Sequence, residues 1–84
     1  MQPTEILETM KAYFAGKQPV EVLESFPQQS PKALLQESLD VVDFVVYLEE
    51  ELGTEIDINQ LGEAIVNKNF GELSVEVARL QSEG

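Results

Sequence analysis

Residues 38–52, with the sequence SLDVVDFVVYLEEEL, form an uninterrupted run that contains neither proline nor glycine. The four valines would suit a strand, but the four-residue recurrence of apolar positions and the LEEEL ending favour a helix. Ser38 belongs to the preferred N-cap residues, and Asp40 in the first turn would complement the positive end of the helix dipole. We therefore predict a helix over residues 38–52 with Ser38 as its cap.

This predicted helix has two apolar arcs, because successive residues rotate by about 100° around the axis. The arc expected to face a core consists of Val41, Phe44, Val45, Leu48 and Leu52. The second arc lies about 100° or more away and consists of Leu39, Val42 and Val46. Its neighbours on the helix are acidic: Asp43, Glu49 and Glu50. Two interpretations are open. The second arc could pack beneath the long connection that precedes this helix or beneath the next predicted helix, the third of the chain. Alternatively, it could form a docking face for another protein.

Three further helices are predicted from apolar spacing and from glycine and proline positions. They cover residues 3–15, residues 59–66 and residues from about 71 to 81. Residues 16–37 contain three prolines and are predicted to form a long connection. Within it, PVEVLESF could form a short helix and SPKALL a single turn. We expect one all-α domain over residues 1–84, a small four-helix bundle with a long first connection and a short third helix.

The net charge of the chain is −11, from 16 acidic and 5 basic residues. No lysine or arginine lies between Lys32 and Lys68, so the acidic side chains concentrate in the middle of the chain. Such a surface repels nucleic acid and anionic lipid. We expect protein partners with basic patches, no nucleic acid and no membrane insertion.

The chain has no cysteine and no histidine, which excludes disulfides, thiolate metal sites and imidazole catalysis. The start MQPTEILETMKAYF is unlike a signal or transit peptide, and no run of about 18 apolar residues occurs. These features predict a cytoplasmic, monomeric protein without catalytic or metal-binding residues of its own.

The run from Glu37 to Ile56, ESLDVVDFVVYLEEELGTEI, resembles the signature of acyl carrier proteins. The shared features are an acidic residue, Ser-Leu-Asp, an apolar helix that ends in several glutamates, and a Glu-Ile pair. The remaining layout, with a long first connection, a short third helix and a last helix introduced by NFGEL, is similar to that family as well.

The resemblance implies that Ser38 is esterified with 4′-phosphopantetheine, taken from coenzyme A by a Mg²⁺-dependent phosphopantetheinyl transferase. The terminal thiol of this group would carry acyl or aminoacyl thioesters between synthases or transferases of fatty-acid, lipid or secondary-metabolite biosynthesis. The chain would then be a carrier that enzymes act upon. The positions that match partner-contacting residues of the family are Glu37, Leu39, Asp40, Val42, Asp43, Val46, Glu49 and Glu50. Lysine at Val42 or Glu49 should accordingly disturb partner binding far more than stability.

Two positions depart from the family pattern. Glu37 stands where Asp or Asn usually precedes the serine, and Leu35 stands where a glycine is usual. Both lie beside the attachment residue, so the resemblance implies a specialised carrier that could need its own transferase.

The same bundle could be an unmodified acidic interaction domain that binds a basic partner. The segment EIDINQLGEAIV alternates acidic and amide residues as Ca²⁺ loops do, but Gln60 stands where a glycine is required and Val66 where a bidentate Glu is required. A paired-carboxylate hydrolase would need a pocket that separates two pKa values, and these acids are expected on a solvated helix face.

Overall fold

The structure is a computed structural model that describes residues 2–83. Six α-helices follow one another in this range: α1 Pro3–Phe14, α2 Val20–Glu24, α3 Pro31–Leu34, α4 Ser38–Leu52, α5 Ile58–Asn67 and α6 Phe70–Glu83. A 3₁₀ turn, Phe26–Gln28, lies between α2 and α3. Within the same residues there is no β-strand, so the prediction of a small all-α bundle is confirmed.

The four predicted helices correspond to α1, α4, α5 and α6, and the bounds of α4 match the prediction. The predicted long connection contains α2, the 3₁₀ turn and α3, so it is more helical than its prolines suggest. Over residues 2–83, none of these helices has both the length and the apolar content of a bilayer-spanning segment.

Four phenylalanines form the centre of the core, and each is at most 2% exposed. They come from α1, the connection, α4 and α6, and are Phe14, Phe26, Phe44 and Phe70. Phe26 stacks on Phe70 with ring centroids 4.3 Å apart, and Phe14 lies 5.6 Å from Phe44. Aromatic rings at such separations contribute packing and quadrupole interactions in addition to buried area. Aromatic contacts in the core therefore join α1, the 3₁₀ turn, α4 and α6.

The connection is attached to α6 by its backbone as well as by Phe26. The Phe70 amide donates to the Gln29 carbonyl at 3.0 Å. Gly71 follows, and a Cβ atom there would lie only 3.2 Å from the Pro27 carbonyl oxygen. The close approach of α6 to the 3₁₀ turn therefore favours glycine at this position.

Side chains define where the last two helices begin. Asp57 accepts the Asn59 amide at 2.9 Å and caps α5. Before α6, Asn69 and Glu72 satisfy each other's amides in both directions, with distances of 2.8 and 3.2 Å. This reciprocal pair is a capping box, which satisfies amides that would otherwise lack partners at the helix start.

Gly53 ends α4 in the left-handed region, with φ +66°. A Cβ atom at this position would meet no other atom within 4 Å, so a side chain would be penalised by backbone conformation alone. Gly53→Ala should therefore lower the free energy of unfolding by about 1 kcal/mol. The matched control is Gly62→Ala inside α5, where space is equally free and alanine should stabilise by about 0.5–1 kcal/mol. Urea denaturation of both variants checks the prediction, and shifts of the same sign would contradict it.

Candidate functional site

Ser38 is the first helical residue of α4, and its side chain is exposed. The prediction that Ser38 is the N-cap was wrong by one position. Glu37 is the cap, because its backbone is extended (φ −110°, ψ 151°) and its carbonyl accepts the Asp40 and Val41 amides at 3.0 and 3.2 Å. The serine hydroxyl is consequently at the helix start without serving as its cap.

The backbone at this point offers unpaired donors. In the described part of the chain, no backbone carbonyl accepts a hydrogen bond from the amide of Ser38 or of Leu39. The positive end of the helix dipole lies at the same place. A phosphate ester on the Ser38 oxygen would therefore meet free N–H groups, which suits an anion despite the neighbouring carboxylates of Glu37 and Asp40.

Leu35 holds the segment that leads into α4. Its side chain is 5% exposed and belongs to the hydrophobic core, and its amide donates to the Pro31 carbonyl at 2.7 Å. Gln36 and Glu37, which follow, are exposed. Two exposed residues therefore connect the buried Leu35 to Ser38.

The second apolar arc of α4 lies on the surface. We call it the outer face, and it consists of Leu39, Val42 and Val46, which are 72%, 45% and 44% exposed. The opposite side of α4 carries the buried Phe44, Val45 and Leu48, while Val41 and Leu52 are half-buried against the core. The alternative that the second arc packs beneath another part of the chain is therefore wrong. An apolar patch beside Ser38 is left uncovered.

The acidic residues around the outer face differ in exposure. Glu37, Asp43 and Glu50 are exposed, whereas Asp40 is half-buried. Burial and then the carboxylates of Asp43 and Asp40 raise the pKa of the Tyr13 hydroxyl on α1. Tyr13 itself packs on α4, with its ring centroid 5.2 Å from that of Phe44 and 5.1 Å from that of Tyr47. Elsewhere on the surface, Lys68 and Arg79 both pair with Glu76.

Glu49 has a structural contact that sequence analysis did not anticipate. Its carboxylate accepts the Ile56 amide at 2.9 Å, and its backbone carbonyl accepts the amides of Gly53 and Thr54 at 2.9 and 3.3 Å. Glu49 is half-buried and ties the linker between α4 and α5 back onto α4. Lysine at this position would break the carboxylate contact, so it should disturb stability as well as any partner.

Glu49→Ala should therefore cost about 1–2 kcal/mol of unfolding free energy, since the Ile56 amide loses a charged acceptor. Glu50 is the matched control, because it is the neighbouring glutamate and is exposed. Glu50→Ala should change stability by no more than about 0.5 kcal/mol. Chemical denaturation of the two variants compares them, and equal stability would show that the Glu49 contact contributes nothing.

Three of the cavities that the described residues form are lined without Ser38. A cleft of about 750 Å³ separates the linker after α4 from the end of α6, and its walls include Glu49, Ile56 and Leu80. The two others, of about 430 and 270 Å³, are also lined only by Glu49 and later residues. Glu49 lies eleven positions after Ser38 on α4, which is about 16 Å along the helix at 1.5 Å per residue. The two cavities that have Glu49 in their walls are therefore at the far end of α4.

Among the described residues, no three His, Cys, Asp or Glu side chains come together as a group that could hold a metal ion. The alternating segment that starts at Glu55 contributes a helix cap through Asp57 instead. The site thus consists of an exposed hydroxyl at a helix start, an adjoining apolar face and bordering carboxylates. No protein-family model matches this chain, and the comparisons with curated proteins and with solved structures gave no match either.

Proposed function

We propose that this chain is a carrier protein of the acyl carrier type, with 4′-phosphopantetheine attached to the Ser38 oxygen. The observation that carries the proposal is the position of Ser38. It is exposed at the first residue of α4, and the uncovered outer face begins at the next residue. A modifying enzyme could reach the Ser38 hydroxyl and bind the adjoining outer face at the same time.

Attachment requires one displacement at phosphorus. The Ser38 oxygen attacks the phosphorus that bears the pantetheine part of coenzyme A, and a phosphodiester bond forms as the pyrophosphate bond breaks. Adenosine 3′,5′-bisphosphate leaves, and the hydroxyl proton passes to a base of the transferase. The free amides of Ser38 and Leu39 would stabilise the new phosphodiester. Once bound, the group supplies the thiol that carries an acyl or aminoacyl unit, which agrees with a chain that has no cysteine.

The outer face is proposed as the surface that partner enzymes bind. Leu39, Val42 and Val46 offer apolar contact, and Asp43 and Glu50 offer exposed negative charge at its border. Charges at the rim of an interface accelerate association more than they tighten binding. A carrier that visits several enzymes needs fast encounter and fast release. We propose transferases and synthases of fatty-acid, lipid or secondary-metabolite biosynthesis as these partners.

The mass of the intact protein tests the proposal directly. The purified chain is incubated with coenzyme A, Mg²⁺ and, in turn, several phosphopantetheinyl transferases of different specificity. We expect a mass gain equal to one phosphopantetheine, located by fragmentation on the peptide that contains Ser38. An unchanged mass with every transferase, or a gain on another residue, would contradict the proposal.

An unmodified interaction domain is the second candidate. The same exposed outer face favours it, since an uncovered apolar patch with an acidic border suits a basic partner whether or not Ser38 is modified. The two candidates differ in one measurable respect. An interaction domain would keep its mass in the transferase experiment, whereas a carrier would gain the prosthetic group.

A further inference from the structure

Two tyrosines lie side by side where α1 packs against α4. Tyr13 on α1 and Tyr47 on α4 are both half-buried, and their ring centroids are 5.1 Å apart. The buried rings of Phe14 and Phe44 meet the Tyr13 ring at centroid distances of 5.0 and 5.2 Å. The tyrosine pair is therefore supported by the aromatic core and still reaches the surface of the protein.

One of these two rings already has a cation over it. The Lys17 ammonium lies 4.5 Å from the centroid of the Tyr13 ring, and the same nitrogen donates to the Tyr13 carbonyl at 3.0 Å. A cation over an aromatic ring is attracted by the negative charge of the ring face. Two contacts therefore hold Lys17 at Tyr13, and the surface beside α4 is one on which a positive group is stabilised.

Tyr47 has acidic neighbours on its own helix. Asp43 precedes it by four residues and Glu51 follows it by four, and both are exposed. Residues four apart on a helix are surface neighbours, with Cβ atoms about 5–6 Å apart. No residue of α4 is a lysine or an arginine, so the helix supplies no cation of its own to these carboxylates. A cation placed on the Tyr47 ring would have a carboxylate within one helical turn on either side.

We propose that Tyr47, Asp43 and Glu51 bind an arginine side chain of a protein partner. With Tyr13, we call these residues the tyrosine patch. A guanidinium is planar and weakly hydrated, so it can stack on the Tyr47 ring and donate to a carboxylate at the same time. A lysine ammonium is more strongly hydrated and lacks this planar fork. The identity of the partner rests on the proposed function: the arginine would belong to an enzyme that acts on the carrier.

The tyrosine patch adjoins the outer face. Leu39, Asp43 and Tyr47 follow one another at four-residue intervals along α4, so Asp43 borders both surfaces. An enzyme that covers the outer face would therefore bring its rim close to the Tyr47 ring. Carboxylates attract any basic rim, whereas a stacked guanidinium is held in a defined orientation. The patch would thus orient the partner on α4 in addition to attracting it.

Peptide titrations followed by NMR test the proposal on the full, unmodified chain. One peptide alternates glycine with three arginines, the other alternates glycine with three lysines, and both are added at low ionic strength. We expect the arginine peptide to bind about threefold more tightly, with the largest shifts at the ring signals of Tyr47. Equal affinities for the two peptides, or largest shifts on another part of the chain, would overturn the proposal.

Substitutions at Tyr47 separate stacking from charge. Tyr47→Leu should bind the two peptides equally, because the carboxylates remain and the ring is lost. Tyr47→Phe is the matched control, since it keeps a ring and should keep the preference for arginine. A preference that survives in Tyr47→Leu would contradict the role of Tyr47. The comparison of the two peptides on the wild-type chain decides the proposal even if Tyr47→Leu does not fold.

These titrations are independent of modification at Ser38. A chain that prefers the arginine peptide but is never loaded with phosphopantetheine would contradict the carrier function and leave the tyrosine patch in place. A chain that is loaded but binds the two peptides equally would contradict the tyrosine patch alone.

Discussion

Ser38→Ala is expected to abolish loading with phosphopantetheine and to leave the fold intact. The loss should be complete, because the proposed phosphodiester needs the Ser38 oxygen and alanine offers no substitute nucleophile. The effect on stability should stay within about 0.5 kcal/mol, since the side chain is exposed and the capping residue is Glu37. Intact mass after transferase treatment measures the first effect, and urea denaturation measures the second.

Ser30→Ala is the matched control for this variant. Ser30 also stands at a helix start, as the N-cap of α3, and its side chain makes no capping hydrogen bond. Loading of Ser30→Ala should equal that of wild type. If Ser38→Ala still gained mass, the prosthetic group would be attached to another residue. If Ser38→Ala lost its fold, the prediction of unchanged stability would be wrong.

The bounds of α4 could be predicted because the local signals agree with one another. Residues 38–52 lack proline and glycine, apolar side chains recur at helical spacing, and Gly53 adopts the left-handed conformation that ends the helix. The cap was misplaced because serine is a preferred cap by residue type, while the extended backbone of Glu37 depends on how the preceding segment is anchored. That anchor is Leu35, whose burial is a tertiary contact.

The connection was harder to predict for the same physical reason. Pro27 and Pro31 indicate interruptions, but they do not show that Phe26 and Leu35 are buried between helices that are distant in sequence. The two apolar arcs of α4 were visible from spacing alone, yet spacing could not decide which surroundings each would meet. Likewise, the contact from Glu49 to the Ile56 amide depends on the path of the linker after Gly53.

Lysine substitutions at Val45 and Val42 distinguish the core-facing side of α4 from the outer face. Val45 is 4% exposed and belongs to the hydrophobic core. Val45→Lys would bury an ammonium without a partner or force the helix away from the core, at a cost of about 3 kcal/mol or more. A chain of this length has a total stability of about 4–13 kcal/mol. We therefore expect a large fall in melting temperature, and partial unfolding at moderate temperature.

Val42→Lys should have the opposite profile. Val42 is 45% exposed, so stability should change by no more than about 0.5 kcal/mol, whereas loading by the transferase should slow by about tenfold, equivalent to 1.4 kcal/mol. Val75→Lys on α6 is the control, because Val75 is 56% exposed and the charge change is identical. Long-range electrostatic effects are then similar in both variants. If Val75→Lys slowed loading as much as Val42→Lys, the change in net charge rather than the outer face would be responsible. If Val42→Lys had a melting temperature as low as that of Val45→Lys, the outer face would be part of the packed interior.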